Sequence, residues 1–348
     1  MHRLDLWFKQ ELDDDELREI AETIREEYPE ATEKIDNALA EQGAIAELLR
    51  SSPEYVSVDA FAMWEKLGIH VTPVHWSSPI PDVHSLPDVW EEPSDLPGIN
   101  LRVDEQFELL STFESKYKNE YDEFALIESS DEHSGFAIKN RYFESVDAEI
   151  AYSMVREHSP ECILEIGGGN STQVLDAALQ RNEQECDHYV IDPSPTRSIK
   201  RHTDAEVVKE NVQDVPVSVF ESLSENDIVF IDSSHIATIG SDVLYEFLEA
   251  LPRLGDGVLV HVHDIFIPYQ YPRRWITERR WFFNEQYLVR ALLTNNDDLE
   301  VLWTTYYMHR KHPDRLAEAF ESYDEIGQEY ESGNIYGIPS SLWLRTTK

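Results

Sequence analysis

Between residues 146 and 348, short apolar runs alternate with amphipathic ones. "ECILEIG" (161–167), "HYVIDPS" (188–194), "AEVVKEN" (205–211), "DIVFIDSS" (227–234) and "GVLVHVHDI" (257–265) are the apolar runs. Continuous runs of this length suit strands buried on both faces. Helical spacing follows the first run in "NSTQVLDAALQ" (170–180) and the fourth in "SDVLYEFLEALPRLG" (241–255), which Pro252 and Gly255 close. Strands alternating with helices predict a parallel sheet covered on both sides. Beyond the fifth strand come a helix-like stretch, "RRWFFNEQYLVRALLTNN" (279–296), and two more candidate strands, "LEVLWTTYYM" (299–308) and "SSLWLRTT" (340–347).

The first 145 residues follow other patterns. Residues 1–50 form a helical extension, with Leu17, Ile20 and Ile24, then Ile45, Leu48 and Leu49, at helical spacing. Residues 51–145 read as an arm. Six prolines fall between Pro73 and Pro97, and proline blocks helix interiors and central strands. Trp76, Ile80, Val83, Leu86 and Trp90 make this stretch too apolar for a free linker, and "LRVDEQFELLSTFESKY" (101–117) predicts a helix. The arm is expected to fold over the strand ends. The third part, 146–348, is the sheet domain.

In open parallel sheets, ligands bind outside the carboxyl ends of the strands. Every apolar run here ends in polar residues. The first ends in Glu165 and a glycine turn, the second in Asp192, and the third in Glu210, Asn211 and Asp214. The fourth ends in Asp232, Ser233, Ser234 and His235, and the fifth in His263 and Asp264. This convergence points to one mouth built from five strand ends.

Composition narrows what that mouth can serve. The 348 residues carry 29 Lys+Arg against 69 Asp+Glu, a net charge of -40 spread along the whole chain. Such a coat suits a protein that stays hydrated in very high salt, where self-repulsion is screened within ~3 Å; the expected source is a halophile. The coat also repels phosphates over most of the surface and argues against a nucleic-acid partner. Two cysteines form no disulfide framework. Neither an apolar signal core nor a run of membrane-spanning length is visible, so a cytoplasmic location without membrane insertion is expected.

The glycine turn selects among ligands. Gly167, Gly168 and Gly169 permit a tight turn and a close backbone approach. A dinucleotide fingerprint would place its third glycine where Thr172 stands, and no Gly-Lys-Ser/Thr follows. Glu165 repels a pyrophosphate but suits a cationic ligand. Asp192 stands about 20 residues beyond the turn, where a carboxylate grips ribose hydroxyls. A ligand with ribose, positive charge and no phosphate is S-adenosylmethionine.

With these residues in place, the chain resembles the class I S-adenosylmethionine-dependent methyltransferases. The resemblance is carried by "ILEIGGGNST" (163–172), matching at Glu165, Gly167, Gly169 and Ser171, and by "FIDSSH" (230–235), "GSDV" (240–243) and "VHVHDIF.P..YP" (260–272). "SPIPD" (78–82) and "SVDAEI" (145–150) extend it over most of the chain beyond residue 50. It implies a Rossmann-like, seven-stranded, mostly parallel sheet with an antiparallel last strand and helices on both faces. It also implies methyl transfer. The glycine turn would pack on the methionyl part, Asp192 would hold the ribose, and Asp214 would lie near the adenine.

Methyl transfer requires alignment of the acceptor and, for a hydroxyl, removal of its proton. A histidine suits that work. His235 is the first candidate for the base, with His263 and Asp264 beside it; His261, a full pleat deeper, is expected to be a hydrogen-bonded core residue. If the fourth and fifth strands are neighbours, as the resemblance implies, Asp232 and Asp264 end side by side and form a candidate site for Mg2+ or Mn2+. Ile265 stands where such relatives show a further acid or amide, so metal-dependent and metal-free chemistry both stay open.

Arg273, Arg274, Arg279 and Arg280 form the one dense basic cluster. With Trp275 and Tyr287 they suggest recognition of an anionic or sugar-containing acceptor, although pairing with the acidic coat and packing of the aromatics also explain them. The expected function is O-methylation of a sugar, glycan or other small hydroxyl-bearing molecule. The alternatives are a nicotinamide-dependent oxidoreductase and a non-catalytic binding module; assembly as a homodimer stays open.

Overall fold

A computed structural model describes residues 70, 76, 78–127, 135–195, 199, 203–323 and 337–348. The helices expected within 1–50 lie outside the described residues. The chain divides into two compact units, Met1–Pro87 and Asp88–Lys348. The second holds the sheet.

The strands are β1 (Cys162–Ile166), β2 (Asp187–Ile191), β3 (Glu206–Val208), β4 (Ile228–Ile231), β5 (Leu259–Val262), β6 (Leu299–Thr304) and β7 (Leu342–Thr346), in the order β3-β2-β1-β4-β5-β7-β6. Neighbours from β3 through β5 run parallel, and β7 runs antiparallel to both β5 and β6. The order reverses at β1, so β1 and β4 frame the switch point where such sheets hold ligands. All seven expected strands form. The sixth is shorter than its β-branched and aromatic residues suggest: Thr304 pairs with Leu342, the first residue of β7, and only one further bond follows, from Thr305 N–H to the Ser341 carbonyl at 2.9 Å. From Thr305 the chain turns into a helix, Thr305–Lys311.

Both faces are covered. On one face Ile163, Ile228, Phe230, Leu259, Trp303 and Trp343 pack against α1 (Val103–Tyr121), α2 (Asp147–His158) and α3 (Asn170–Leu179). On the other, Leu164, Ile166, Val229, Ile231, Val260 and Val262 pack against α4 (Asp242–Tyr245, continued by a π-helical turn Glu246–Ala250) and α5 (Glu285–Leu293). A fully buried side chain of this kind stabilises the fold by roughly 1.5–3 kcal/mol. Because α1 contributes Leu110 and Phe113 to the first core, the helix expected at 101–117 is part of the sheet unit. Residues 90–94 lie against the segment after β5. Ser94 N–H donates to the Pro268 carbonyl at 2.8 Å, and the Arg273 guanidinium lies 5.2 Å from the Trp90 ring centre.

The helix α2 carries buried acids into this core. Glu149 is 2% exposed, and burial pushes its carboxyl from 4.5 up to about 7, against hydrogen bonds from Ser322 and Ser145. The folded state therefore holds this proton more tightly than the unfolded chain does. The stability it contributes is full below pH 4.5 and is lost as pH rises through about 7. Glu149→Gln should match the wild type in urea unfolding at pH 4.5 and exceed it by on the order of 3 kcal/mol at pH 8; an equal gap at both pH values would contradict the assignment.

Candidate active site

The glycine turn joins β1 to α3. Gly167 has φ 77°, and a Cβ built there would lie 2.0 Å from the Asp232 carbonyl oxygen. Only glycine meets both demands. A Cβ on Gly168 would meet Val190 and Ile199, whereas one on Gly169 would meet open space. Gly169 N–H instead donates to Thr172 Oγ1 at 3.0 Å. Thr172 thus ties down the helix entry at the position where a dinucleotide fingerprint has its third glycine.

A cleft of about 340 Å³ opens on this turn, lined by Gly167, Asp192, Gln213, Asp232, Ser233 and Asp242 among others. Asp192 stands at the end of β2, accepting from Ser194 N–H at 2.7 Å and, more distantly, from Gly168 N–H at 3.4 Å. Gln213 donates to the Gly240 carbonyl at 3.0 Å and so ties the loop after β3 to the loop after β4. Asp214, expected near an adenine, is exposed, does not line the cleft, and accepts from Asn211 Nδ2. Glu165 also differs from expectation. Its fully buried carboxylate accepts from Ser171 Oγ at 2.7 Å and pairs with His188 Nε2 at 3.0 Å. Glu165 and Ser171 brace the turn from beneath. A larger depression around Arg102 and Glu300 lies at the far edge of the sheet, where those two charges pair with each other.

Beside the cleft, at the ends of β4 and β5, four of the expected residues meet. His235 Nε2 lies 3.5 Å from Asp232 Oδ1 and 3.6 Å from Asp264 Oδ2. His263 Nε2 lies 3.7 Å from Asp264 Oδ1, which also accepts from Ser340 Oγ at 3.0 Å. His235 and Asp264 both hold left-handed backbone, φ 59° and 56°, an uncommon conformation for non-glycine residues that concentrates at functional sites.

The start of α5 grips His235 from behind. Asn284 N–H and Glu285 N–H donate to its carbonyl, at 3.1 and 3.3 Å, and its Nδ1 lies 2.9 Å from Glu285 Oε2. Burial by itself would lower the His235 pKa. The hydrogen bond and charge of Glu285, with the charges of Asp264 and Asp232, outweigh it and raise the pKa from 6.5 to about 10. Burial pushes the Glu285 carboxyl above its ordinary range, and His235 pulls it back. The shared proton rests on the ring, whose other edge faces two further carboxylates. Farther back, Glu246 opens the π-helical turn, is fully buried, and accepts from Ser233 Oγ at 3.0 Å; burial, then the charge of Glu285, holds it protonated well above the usual carboxylate range. His263 is buried as well. Burial lowers its pKa, but the charges of Asp232, Asp264 and Asp147 raise it on balance. His261 is a core residue as expected, stacked 3.7 Å from the Phe230 ring, bonded to Ser341 Oγ at 2.8 Å and held neutral by burial.

Glu285, Glu246, Asp147 and Ser340 were missed by sequence reasoning. Asp147 opens α2 and accepts from the Ser340 and Ser341 N–H groups. The one signal for Glu285 is an acid inside the apolar stretch "WFFNEQYLVRALL".

The arginine and aromatic segment divides. Trp275 is 4% exposed and packs against Phe266, Trp281 and Phe283, so it is a core residue and not a platform for an acceptor. Arg273 and Arg274 are exposed, the first against Trp90, the second bonded to Glu278. Tyr287 is half-exposed, its hydroxyl donating to Gln270.

Asp232 and Asp264 were the candidate metal pair. Mg2+ takes oxygen ligands at ~2.0–2.1 Å in octahedral geometry. Here both carboxylates are turned to a protonated imidazole edge that stands in the gap. Among the described residues, no three His, Cys, Asp or Glu side chains gather so as to hold a metal. As they stand, these residues do not fit a divalent cation.

Residues 164–265, which run from β1 past the end of β5 and include this cleft and histidine cluster, match a family model described as "Methyltransferase domain". Over this stretch the chain is similar to that methyltransferase family. A protein of Archaeoglobus fulgidus described as "Uncharacterized protein" is 29% identical over 170 residues, covering 45% of this chain and 75% of the relative. The SAH-bound Podospora anserina methyltransferase PaMTH1 overlaps 70% of this chain and 88% of its own at 11% identity, with a TM-score of 0.36. An SAH-bound O-methyltransferase from Bacillus cereus overlaps 70% and 91% at 13% identity, also with a TM-score of 0.36.

The glycine turn gives the sharpest test of the cleft. Gly167→Ala forces a Cβ onto the Asp232 carbonyl, and calorimetry should show at least a tenfold loss of S-adenosylmethionine affinity, whereas Gly169→Ala should bind within twofold of wild type. Equal effects would contradict this geometry.

Proposed function

We propose that this enzyme methylates a hydroxyl of a small acceptor, a sugar or similar molecule, by in-line transfer. The observation that carries the reading is the position of Asp232, whose backbone abuts Gly167 in the cleft and whose carboxylate faces His235. Cofactor cleft and acid–histidine cluster share one residue, so an acceptor held by the cluster stands next to the cleft.

S-adenosylmethionine supplies an activated methyl group on a sulfonium. The chain supplies the rest. Asp192 takes the ribose hydroxyls from the end of β2, and Gly167 lets the backbone approach closely. With a pKa of about 10, His235 donates at neutral pH and does not act as a free base. The Asp264 carboxylate, held by Ser340, accepts the acceptor's hydroxyl proton, while the His235 Nε2–H steadies the negative charge that grows on the oxygen. The base role expected of His235 thus passes to Asp264. The exposed Arg273 and Arg274 attract an anionic acceptor. A nicotinamide enzyme fits less well, because Thr172 occupies the third glycine position.

Purified protein in molar KCl should bind S-adenosylmethionine and not NAD in calorimetry, and should form S-adenosylhomocysteine with a panel of sugars, uronic acids and phenols. Arg273→Ala and Arg274→Ala should raise the acceptor's KM severalfold while leaving cofactor affinity unchanged. Binding of NAD alone, or turnover confined to amine acceptors, would overturn the reading.

A further inference from the structure

We propose that Arg310 holds the carboxylate of a sugar-acid acceptor, and that Glu91 occupies this place until the acceptor displaces it. This rests on the reading that a sugar-like acceptor is O-methylated, and it names the class of that acceptor.

The placement follows from the sheet. β7 runs antiparallel to both β5 and β6, so β5 and β6 end on the same side. The segment after β5 carries Tyr269, and the helix after β6, Thr305–Lys311, carries Arg310 and Lys311 in its last turn. Both leave the sheet on the side of Asp232 and Asp264. There the second basic pair meets the arginine segment. Trp90 and Glu91, neighbours in the chain, each take one cation. Arg273 lies 5.2 Å from the Trp90 ring centre, and Arg310 Nη2 donates to Glu91 Oε2 at 3.1 Å. In a chain of net charge -40, Arg273, Arg274, Arg310 and Lys311 thus share one small region.

Arg310 is fixed without help from Glu91. Its guanidinium lies 4.4 Å from the Tyr269 ring centre and 5.8 Å from that of Tyr306, and Nη1 donates to the Tyr306 hydroxyl at 3.1 Å. The two tyrosines pack on each other, and Tyr306 packs on Phe266. Lys311 Nζ lies 5.9 Å from the same Tyr269 ring. Glu91 is held differently. Its side chain is 80% exposed, against 29% for Arg310, and it reaches the guanidinium through one oxygen. An exposed ion pair of this kind contributes little to stability, so an incoming carboxylate displaces it readily. A guanidinium binds a carboxylate best through two parallel N–H···O bonds, a geometry that the one-oxygen contact of Glu91 does not use. Beside it, the Trp90 Nε1–H is shut off from water and has no hydrogen-bond partner among the described residues. A buried donor left so is costly, and a sugar oxygen supplies the missing acceptor.

The test is binding of glucuronate to the full chain, followed by ligand-observed NMR in molar KCl, with glucose as the neutral match. Salt at that strength screens the long-range field, so differences between variants report contacts. The wild type should bind glucuronate saturably and at least tenfold more tightly than glucose. Glu91→Gln should tighten glucuronate binding at least threefold, and Arg310→Gln should weaken it at least tenfold. Arg315→Gln, which removes a charge from the following helix, Pro313–Ala319, should stay within twofold of wild type. Thermal melts check folding, and the exposed Glu91 variant carries the test if Arg310→Gln does not fold. Equal binding of the two sugars, or no saturable site in wild type and Glu91→Gln, would overturn the proposal. So would the absence of a gain in Glu91→Gln, or equal losses in Arg310→Gln and Arg315→Gln. Binding here needs neither cofactor nor turnover, so a failure to form S-adenosylhomocysteine would count against the methyl-transfer reading and not against this subsite.

Discussion

One buried imidazole in contact with three carboxylates organises the active end of this protein. At an effective dielectric near 20, charges about 4 Å apart interact by ~4 kcal/mol, so unneutralised acids could not share this space. His235 supplies the neutralising charge, and the ring must stay where Glu285 places it. The left-handed backbone at His235 and Asp264, the buried Glu285 carboxylate and the polar helix starts at α2 and α5 are costs of that arrangement. The apolar packing on both faces of the sheet offsets them.

The sheet's contribution is placement. Parallel neighbours β4 and β5 bring Asp232 and Asp264 to adjoining strand ends, because Ile231 pairs with Val262, the last residue of each strand, and the aspartates follow one and two positions later. The switch in strand order at β1 puts Gly167 against Asp232. The cleft on the glycine turn and the acid–histidine cluster therefore meet at Asp232. The net charge of -40 adds a long-range negative potential that concentrated salt would screen.

Much of this was legible in the sequence because strands announce themselves by apolar runs and sheet geometry puts function where those runs stop. His235, His263, Asp232, Asp264, Gly167 and Asp192 all follow from that rule. What failed to show depends on tertiary packing. Glu285 lies 50 positions from His235, and no local pattern links an acid at a helix start to a ring on another element. Glu165 carries the right chemistry for a cationic ligand, yet Ser171 and His188 claim both of its oxygens. Trp275 has the composition of a stacking platform, but only the aromatic cluster around it shows that it faces inward. Tyr306 has strand propensity, but β7 gives it no partner.

The central claim is that His235 carries its proton through the neutral range because Glu285, Asp264 and Asp232 surround it. Nitrogen-15 NMR of the histidine rings, with His235→Gln to assign the signal, reads this directly. Both His235 nitrogens should remain protonated up to about pH 9, in line with a pKa of about 10. A ring that loses its proton near pH 6.5 would contradict the account.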